Sequence, residues 1–132
     1  NASVQASGCE FSFIWTGADC KSAFVDCRIE GSCGCGLNVA RNGDCALKRC
    51  QVTANRGAGV WVSERGSVSA QDCNVCDNGQ VDGNTLGHSN LGGGFAGEAG
   101  SRIALQGGSI IGNVGTYYHT PYASGMNPCI VA

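Results

Sequence analysis

The sequence predicts an all-β solenoid, in which each turn of the chain forms short strands that stack on the previous turn. Two observations carry this prediction: an internal repeat of about 23 residues, and apolar residues that alternate with polar ones within each repeat. A repeat of this length is typical of solenoids and other stacked arrays. Aligned repeats give four columns: Cys27, Cys50, Cys73 and Gly108; Ile29, Val52, Val75 and Ile110; Phe24, Leu47, Ala70 and Leu105; and Ser22, Cys45, Val68 and Ile103.

Each repeat contains three short segments with apolar residues two positions apart, as in residues 45–47, 50–52 and 60–62. A period of two is the pattern of a strand with one buried face. Three such strands and three turns would form one rung, and parallel pairing would stack the rungs about 4.8 Å apart. A helical solenoid is disfavoured, because Val, Ile and Cys dominate the columns and helical spacing is missing.

The repeats place about five rungs in a single domain that covers residues 1–132. A shortened first rung at 2–17, with Val4, Ala6, Cys9 and Phe11 in the buried columns, is followed by regular coils at 18–42 and 43–66. The next coil begins at Ser67 and carries an inserted loop at about 79–90 before residues 94–97 rejoin the pattern. The last coil runs from Arg102 to Asn113, and a non-repeat tail occupies 116–132. The 22 Gly fit the many tight turns that such a chain needs.

The repeated segments resemble those of right-handed parallel β-helix proteins of the pectate-lyase-like superfamily. The resemblance rests on CALKRCQVTAN at 45–55, GAGVWV at 57–62 and VSAQDCNVCDN at 68–78. It implies three-sided coils, often with a ladder of asparagines at one turn, which Asn55, Asn78 and Asn113 match. Stacked asparagines would satisfy buried backbone groups, so we interpret this column as structural. The resemblance also implies a carbohydrate-binding or polysaccharide-degrading activity as an alternative function.

Cysteines form a second column, at Cys9, Cys27, Cys50 and Cys73. Neighbouring rungs bring aligned Cα atoms within the range that a disulfide accepts, so Cys9–Cys27 and Cys50–Cys73 are candidate pairs. A reduced stack of inward-facing thiols is the alternative. A zinc site built from Cys33, Cys35, Cys73 and Cys76 is disfavoured, because one pair has a member in the core column and the other has unusual spacing. We therefore predict no metal site and no cofactor.

Composition bounds the compartment and the partners. Ten cysteines in 132 residues favour an oxidising compartment, so we expect a secreted, cell-surface or organelle-lumen protein. A net charge of −2 gives no basic footprint for nucleic acid. The sequence contains no run of 18 apolar residues, so it predicts no transmembrane segment. The chain opens without Met, which indicates a processed form or part of a longer polypeptide.

Candidate contact residues lie mainly outside the repeat, because loops on a rigid scaffold often carry function. Asp26, Arg49 and Asp72 align one position before the cysteines, and we interpret them as a surface charge ladder rather than a binding strip. No nucleophile motif or cluster of carboxylates emerges, so no catalytic residue is assigned. The candidate ligand or partner contacts are Trp61, expected to point outward, with Asp82, His88, Tyr117, Tyr118 and Tyr122.

These observations favour a non-catalytic structural or interaction module, a subunit or segment of a larger assembly, over an enzyme. An open solenoid end exposes apolar core and unpaired strands. The Tyr-containing tail is a candidate cover for the C-terminal end, but the first strand begins almost at Asn1. We therefore expect another protein subunit, another copy of the chain or missing upstream sequence to cap the N-terminal end, and other protein subunits are also expected to be able to pack on a lateral face. Glycans are the partners that the alternative function implies.

Overall fold

A computed structural model describes residues 3–79, 93–98 and 100–113, and the backbone of residues 129–130. Within these ranges the chain forms strands and turns, and no helix is long and apolar enough to cross a membrane. The strands are β1 (Ser3–Ser7), β2 (Glu10–Phe11), β3 (Ile14–Thr16), β4 (Lys21–Val25), β5 (Arg28–Glu30), β6 (Leu37–Val39), β7 (Asp44–Lys48), β8 (Gln51–Thr53), β9 (Val60–Val62), β10 (Ser67–Gln71), β11 (Asn74–Cys76), β12 (Phe95–Gly97), β13 (Arg102–Gln106), β14 (Ser109–Ile111) and β15 (Cys129–Ile130).

The strands form the three sides of a right-handed parallel β-helix, which confirms the predicted fold class. Every third strand joins the same sheet: β1-β4-β7-β10-β13 in sheet A, β2-β5-β8-β11-β14 in sheet B and β3-β6-β9-β12-β15 in sheet C. All pairings are parallel except the last one in sheet C, where β15 runs antiparallel to β12. A strand from the chain's tail thus extends a sheet that the repeats built.

The register confirms the alignment of the repeats. Leu47 lies directly between Phe24 and Ala70 in sheet A. Val60 lies between Leu37 and Phe95 in sheet C, so β12 continues the repeat. These columns fill the interior, where Leu37, Val60 and Phe95 are fully buried. Because rungs stack in register, each buried side chain packs on its counterparts in the rungs before and after it.

Each full coil turns three times, and a residue with left-handed backbone lies at every described turn between strands except the one between β2 and β3. These residues also form columns with the period of the repeat: Gly8, Asp26, Arg49, Asp72 and Gly107; Gly31, Ala54, Asp77 and Gly112; and Asp19, Asn42, Arg65 and Gly100. Left-handed backbone is rare and strained for residues other than Gly, Asn and Asp. Backbone strain is therefore present at Arg49, Ala54 and Arg65, whose φ angles are 51°, 55° and 58°. The hydrogen-bonded strands on either side of these turns hold the backbone in this conformation.

The first rung occupies the predicted columns but is not fully buried. Val4 aligns with Ser22 and Cys45, yet Val4 is 55% exposed whereas Cys45 is completely buried. Phe11 is half-buried, and its ring meets that of Phe24 edge-on with centroids 6.0 Å apart. The predicted burial of Val4 is therefore wrong for a physical reason: in the described residues no rung lies on its outer side.

Candidate functional site

The open N-terminal end is the described surface that departs most from a closed solenoid. Among the described residues, β1, β2 and β3 each pair with a neighbour on one side only. The end forms a cleft of about 420 Å³ lined by inward-facing Val4, Phe11 and Ile14, and by Phe13 and Trp15. Phe13 and Trp15 are 49% and 68% exposed. The surface combines strand edges whose backbone groups are free to form hydrogen bonds with apolar side chains. These are the features by which a sheet edge binds an additional polypeptide strand.

The asparagine column, predicted to be structural, runs through the interior. Asn55 and Asn78 are fully buried, and Asn113 is nearly so. The Asn78 side-chain oxygen accepts from the Asn55 backbone N–H at 3.1 Å and from Asn55 Nδ2 at 2.9 Å. Asn78 Nδ2 donates to Val52 O and to Asn113 Oδ1, both at 2.9 Å. The ladder thus uses its polar groups within the turn.

Glycine makes room for this ladder. A Cβ atom on Gly59 would lie 2.8 Å from Asn78 Nδ2, and one on Gly36 would lie 2.6 Å from Asn55 Nδ2. Contacts this short are not tolerated, so the two glycines are required by close approach of the ladder rather than by their backbone angles. The ladder and its glycines fix the turn between sheets B and C.

The cysteine column is present, but its members are thiols. All nine described cysteines are free, so the candidate disulfides Cys9–Cys27 and Cys50–Cys73 are not formed, and the structure has the alternative, a reduced stack of thiols. In-register Cβ atoms are separated by about the strand spacing of 4.8 Å, whereas a disulfide requires about 3.5–4.5 Å. The Cα separation alone did not expose this mismatch. Cys27, Cys50 and Cys73 are buried, and the first two direct their Sγ atoms at backbone oxygens of the preceding rung, Ala6 O at 3.7 Å and Phe24 O at 3.2 Å.

Burial and mutual contact set the acidity of these thiols. Contact with the Cys73 sulfur, together with burial, raises the pKa of Cys50. The same contact lowers the pKa of Cys73 to about 7. Burial raises the pKa of Cys45, which belongs to a different column, to about 11. The acidities of Cys50 and Cys73 therefore depend on each other, whereas burial is the main influence on the acidity of Cys45.

The aligned charges form a surface ion pair. Arg49 donates from Nε to Asp26 Oδ1 at 2.8 Å and from Nη2 to Asp26 Oδ2 at 3.1 Å. This contact lowers the pKa of Asp26 and raises the pKa of Arg49, to which the charge of Asp72 also contributes. Both side chains of the pair are half exposed, so the pair stabilises the fold only weakly. The column supplies order at a turn rather than a binding site.

Trp61 is not an exposed aromatic, contrary to expectation. It faces away from the main core, between inward-facing Val60 and Val62, but only 3% of its surface is accessible. It packs with Cys35, Ala58 and Ala96 in a second, smaller apolar cluster on the outer side of sheet C. The exposed tryptophan is Trp15, in the same column two rungs earlier, which was not among the candidate contacts. Its only sequence signal was its place in the first rung.

The remaining candidate contacts, Asp82, His88, Tyr117, Tyr118 and Tyr122, lie outside the described residues. Among residues 3–79, 93–98 and 100–113, no three His, Cys, Asp or Glu side chains come together as metal ligands. The shallow cleft on the outer face of sheet B, about 480 Å³, is lined by polar residues that include Gln51, Asn74 and Ser109. Its single carboxylate within the described ranges is that of Asp77.

Comparison with known proteins agrees with the architecture. The family described as a right-handed β-helix region matches residues 12–127. No curated protein and no solved structure matches the chain. The family match covers the regular coils, the inserted segment and most of the tail. Together with the stacked parallel sheets, it establishes that the chain belongs to the right-handed β-helix family.

Proposed function

We propose that the protein is a non-catalytic β-helix interaction module, and that a strand-bearing coil of another protein subunit covers its N-terminal end. The observation that carries this proposal is the first rung itself. Val4 occupies a core column but is 55% exposed, and β1, β2 and β3 each keep one unpaired edge among the described residues. A partner that continues the three columns would bury these side chains and pair these edges.

The chemistry of the partner follows from the chemistry of the end. Free edges recruit polypeptide through backbone hydrogen bonds, and inward-facing Val4, Ala6 and Phe11 recruit apolar side chains. A soluble sugar would satisfy neither requirement, because it offers no strand and little apolar surface. The fold already accepts an added strand at sheet C, where β15 pairs antiparallel with β12. The partner is therefore a polypeptide with its own unpaired strands and apolar inward face.

The compartment belongs to the same proposal. Ten cysteines support a secreted, cell-surface or lumenal location. Thiols buried in the core react slowly with oxidants, so a free cysteine column is compatible with such a location. Immunolocalisation of the native protein, compared with a cytosolic marker, tests this part of the proposal separately.

Two adjacent residues on β1 allow a sharp test of the docking surface. Val4 faces the core column, where it aligns with Ser22, whereas Gln5 faces outward and aligns with Ala23. In the native particle, analysed by light scattering after size exclusion, we expect the wild-type chain at a mass well above its own 13.4 kDa. Val4→Lys should release it as a monomer, and Gln5→Lys should leave the particle intact.

Amide exchange supplies the second readout. The amides of residues 3–16 that face the open end should exchange rapidly in the isolated chain and slowly in the particle, unlike those of Gly8 and Ile14, which already donate to Val25 O and Gly36 O. A native wild-type monomer at high concentration in which the β1 amides that face the open end are protected would overturn the proposal. Equal loss of the particle in Val4→Lys and Gln5→Lys would also overturn it, because charge alone would then explain the effect.

A glycan-binding role is the second candidate, and the cleft on the outer face of sheet B favours it. Gln51, Asn74 and Ser109 present amide and hydroxyl groups beside Ile111, a combination that can hydrogen-bond and contact a sugar ring. Hydrolysis of a glycosidic bond usually employs two carboxyl groups, and Asp77 supplies one. Titration with neutral and acidic oligosaccharides tests this role, and binding that survives Asn74→Ala would place the sugar elsewhere.

A further inference from the structure

The C-terminal end of the described stack has the same chemistry as the N-terminal end. Among the described residues, β13 and β14 each pair with a neighbour on one side only. Leu105 occupies the core column of Leu47 but is 40% exposed. Ile103 and Ile110 are half-buried, although they align with buried residues of the preceding rung. Incomplete apolar columns and strand edges are therefore present at both ends.

The two ends of such a stack fit one another, because each end is a cross-section of the same solenoid. All described pairings in sheets A and B are parallel, from the first rung to the last. A second copy placed one strand spacing, about 4.8 Å, beyond the last rung therefore sets its β1 parallel to β13 and its β2 parallel to β14. In sheet C its β3 meets β15 in the antiparallel sense, which is how β15 already pairs with β12.

We propose that the C-terminal end of one copy of this chain docks on the N-terminal end of the next, so that copies join head to tail. This inference rests on the proposed function and names the partner at its docking surface. Each core column of sheets A and B then continues from one copy into the other. The apolar contacts across the junction are Ile103 with Val4, Leu105 with Ala6 and Ile110 with Phe11.

The size of these side chains favours head-to-tail joining over the joining of two N-terminal ends. In sheet A the first rung contributes only Val4 and Ala6 to the interior, so two first rungs face to face would set small side chains against small ones. The last rung contributes the larger Ile103 and Leu105. A large side chain set against a small one fills an interior more completely than two small ones do.

The outer rims of the two ends are also compatible. The polar neighbours across the junction are Arg102 with Ser3, Gln106 with Ser7 and Ser109 with Glu10. No two of these neighbours carry charge of the same sign, so the junction in sheets A and B has no repulsive pair. The turn between these sheets is a glycine at both ends, Gly8 and Gly107, whereas the middle rungs have charged residues there. No side chain therefore projects from this turn on either side of the junction.

The junction joins two different surfaces, so a pair of copies still has one free end of each kind. A contact of this type does not close on a dimer, and assembly continues into a rod. The proposal therefore predicts growth with concentration, whereas a two-fold contact predicts a fixed dimer.

The test uses the purified full chain with reductant and without other proteins, and light scattering after size exclusion gives the mass over a range of concentrations. Wild type should form species whose mass rises with concentration beyond that of a dimer. Val4→Lys blocks one end and Leu105→Lys the other, so each variant alone should stay a monomer of 13.4 kDa. An equimolar mixture of the two should form a dimer that grows no further, because it contains one intact junction and two blocked ends.

Outward-facing neighbours on the same strands supply matched controls. Gln5 on β1 and Ala104 on β13 are exposed, and they align with outward-facing residues of the adjacent rungs. Gln5→Lys and Ala104→Lys should assemble as wild type does. Circular dichroism of each variant checks that it is folded before the masses are compared.

The outcomes separate this inference from the proposed function. A closed wild-type dimer, assembly that Leu105→Lys leaves intact, or a mixture of folded variants that stays monomeric would each overturn head-to-tail joining. A purified wild-type chain that stays monomeric, while Val4→Lys still releases it from a larger native particle, would overturn head-to-tail joining and leave the docking of a different subunit standing. A native particle that Val4→Lys leaves intact would contradict both.

Discussion

Asn78→Ala tests the asparagine ladder, because Asn78 is fully buried at its centre. The substitution removes four hydrogen bonds, two accepted from Asn55 and two donated, to Val52 and Asn113. The Asn55 backbone N–H loses its partner in the interior, which costs about 1–3 kcal/mol. The other three bonds contribute about 1 kcal/mol each, so we expect the free energy of unfolding to fall by about 4–6 kcal/mol.

Asn74→Ala provides the control, since Asn74 lies on the same rung but faces solvent, where its Oδ1 accepts one bond from Ser109 Oγ. Its free energy of unfolding should change by less than about 0.5 kcal/mol. Urea unfolding followed by circular dichroism measures both variants, from the shift in midpoint and the slope. Hydrogen exchange should also accelerate at the Asn55 amide in Asn78→Ala. A loss below about 1 kcal/mol, or equal losses in the two variants, would refute the ladder's role.

Three further changes test other parts of the stack. Leu47→Ala, at 1% exposure, should cost about 2–5 kcal/mol in urea unfolding, whereas Leu105→Ala in the same column, at 40% exposure, should cost clearly less; equal costs would contradict the column. Ala54→Gly removes the steric cost of left-handed backbone, about 1–2 kcal/mol, but it also stabilises the unfolded chain by about 0.4–1 kcal/mol through added conformational entropy. The midpoint of urea unfolding should therefore rise slightly rather than fall. Arg49 lowers the pKa of Asp26 below its usual value of 3.8, so the ion pair stabilises the folded state above that pH, and this stabilisation is lost in acid. At low salt, the melting temperatures of wild type and Asp26→Asn should therefore differ slightly at pH 7 and converge near pH 2. Melting temperatures that diverge in acid would contradict this.

The stacked columns could be predicted from the sequence because strand geometry allows few alternatives. A period of two within segments assigns one face to the core, and a constant offset between segments assigns the neighbours. The placement of Leu47 beside Ala70 followed from these two rules alone. The asparagine ladder was equally accessible, since a buried amide that recurs once per rung has few partners other than its own copies.

The fate of side chains outside the main core could not be predicted in the same way. Alternation correctly turns Trp61 away from the core, but it does not say what lies on the other side of sheet C. The cysteine column was visible, yet its redox state depends on a difference of a few tenths of an ångström between strand spacing and disulfide geometry. The repeat pattern identifies which cysteines are neighbours, but the distance between them decides whether a disulfide forms.

The left-handed turn columns had a sequence signal that was easy to miss. Gly31 and Gly112 flank Ala54 and Asp77 in one column, and no Gly marks the middle positions. A residue other than Gly in left-handed backbone is exceptional by itself. Here the neighbouring rungs hold the backbone in place, so the signal is the recurrence of Gly, Asp or Asn at one offset rather than the identity of any single residue.

The offset of 23 residues between the paired strands β4, β7 and β10 has a consequence for how such a chain can change in length. Excising residues 44–66 would join the coil that ends at Gly43 to the one that begins at Ser67, and Phe24 would then meet Ala70 with its side chain still inward. Genetic gain or loss of whole coils would lengthen or shorten the rod while its cross-section stayed the same. Deleting a single residue within a strand would instead turn every later side chain of that strand to the opposite face.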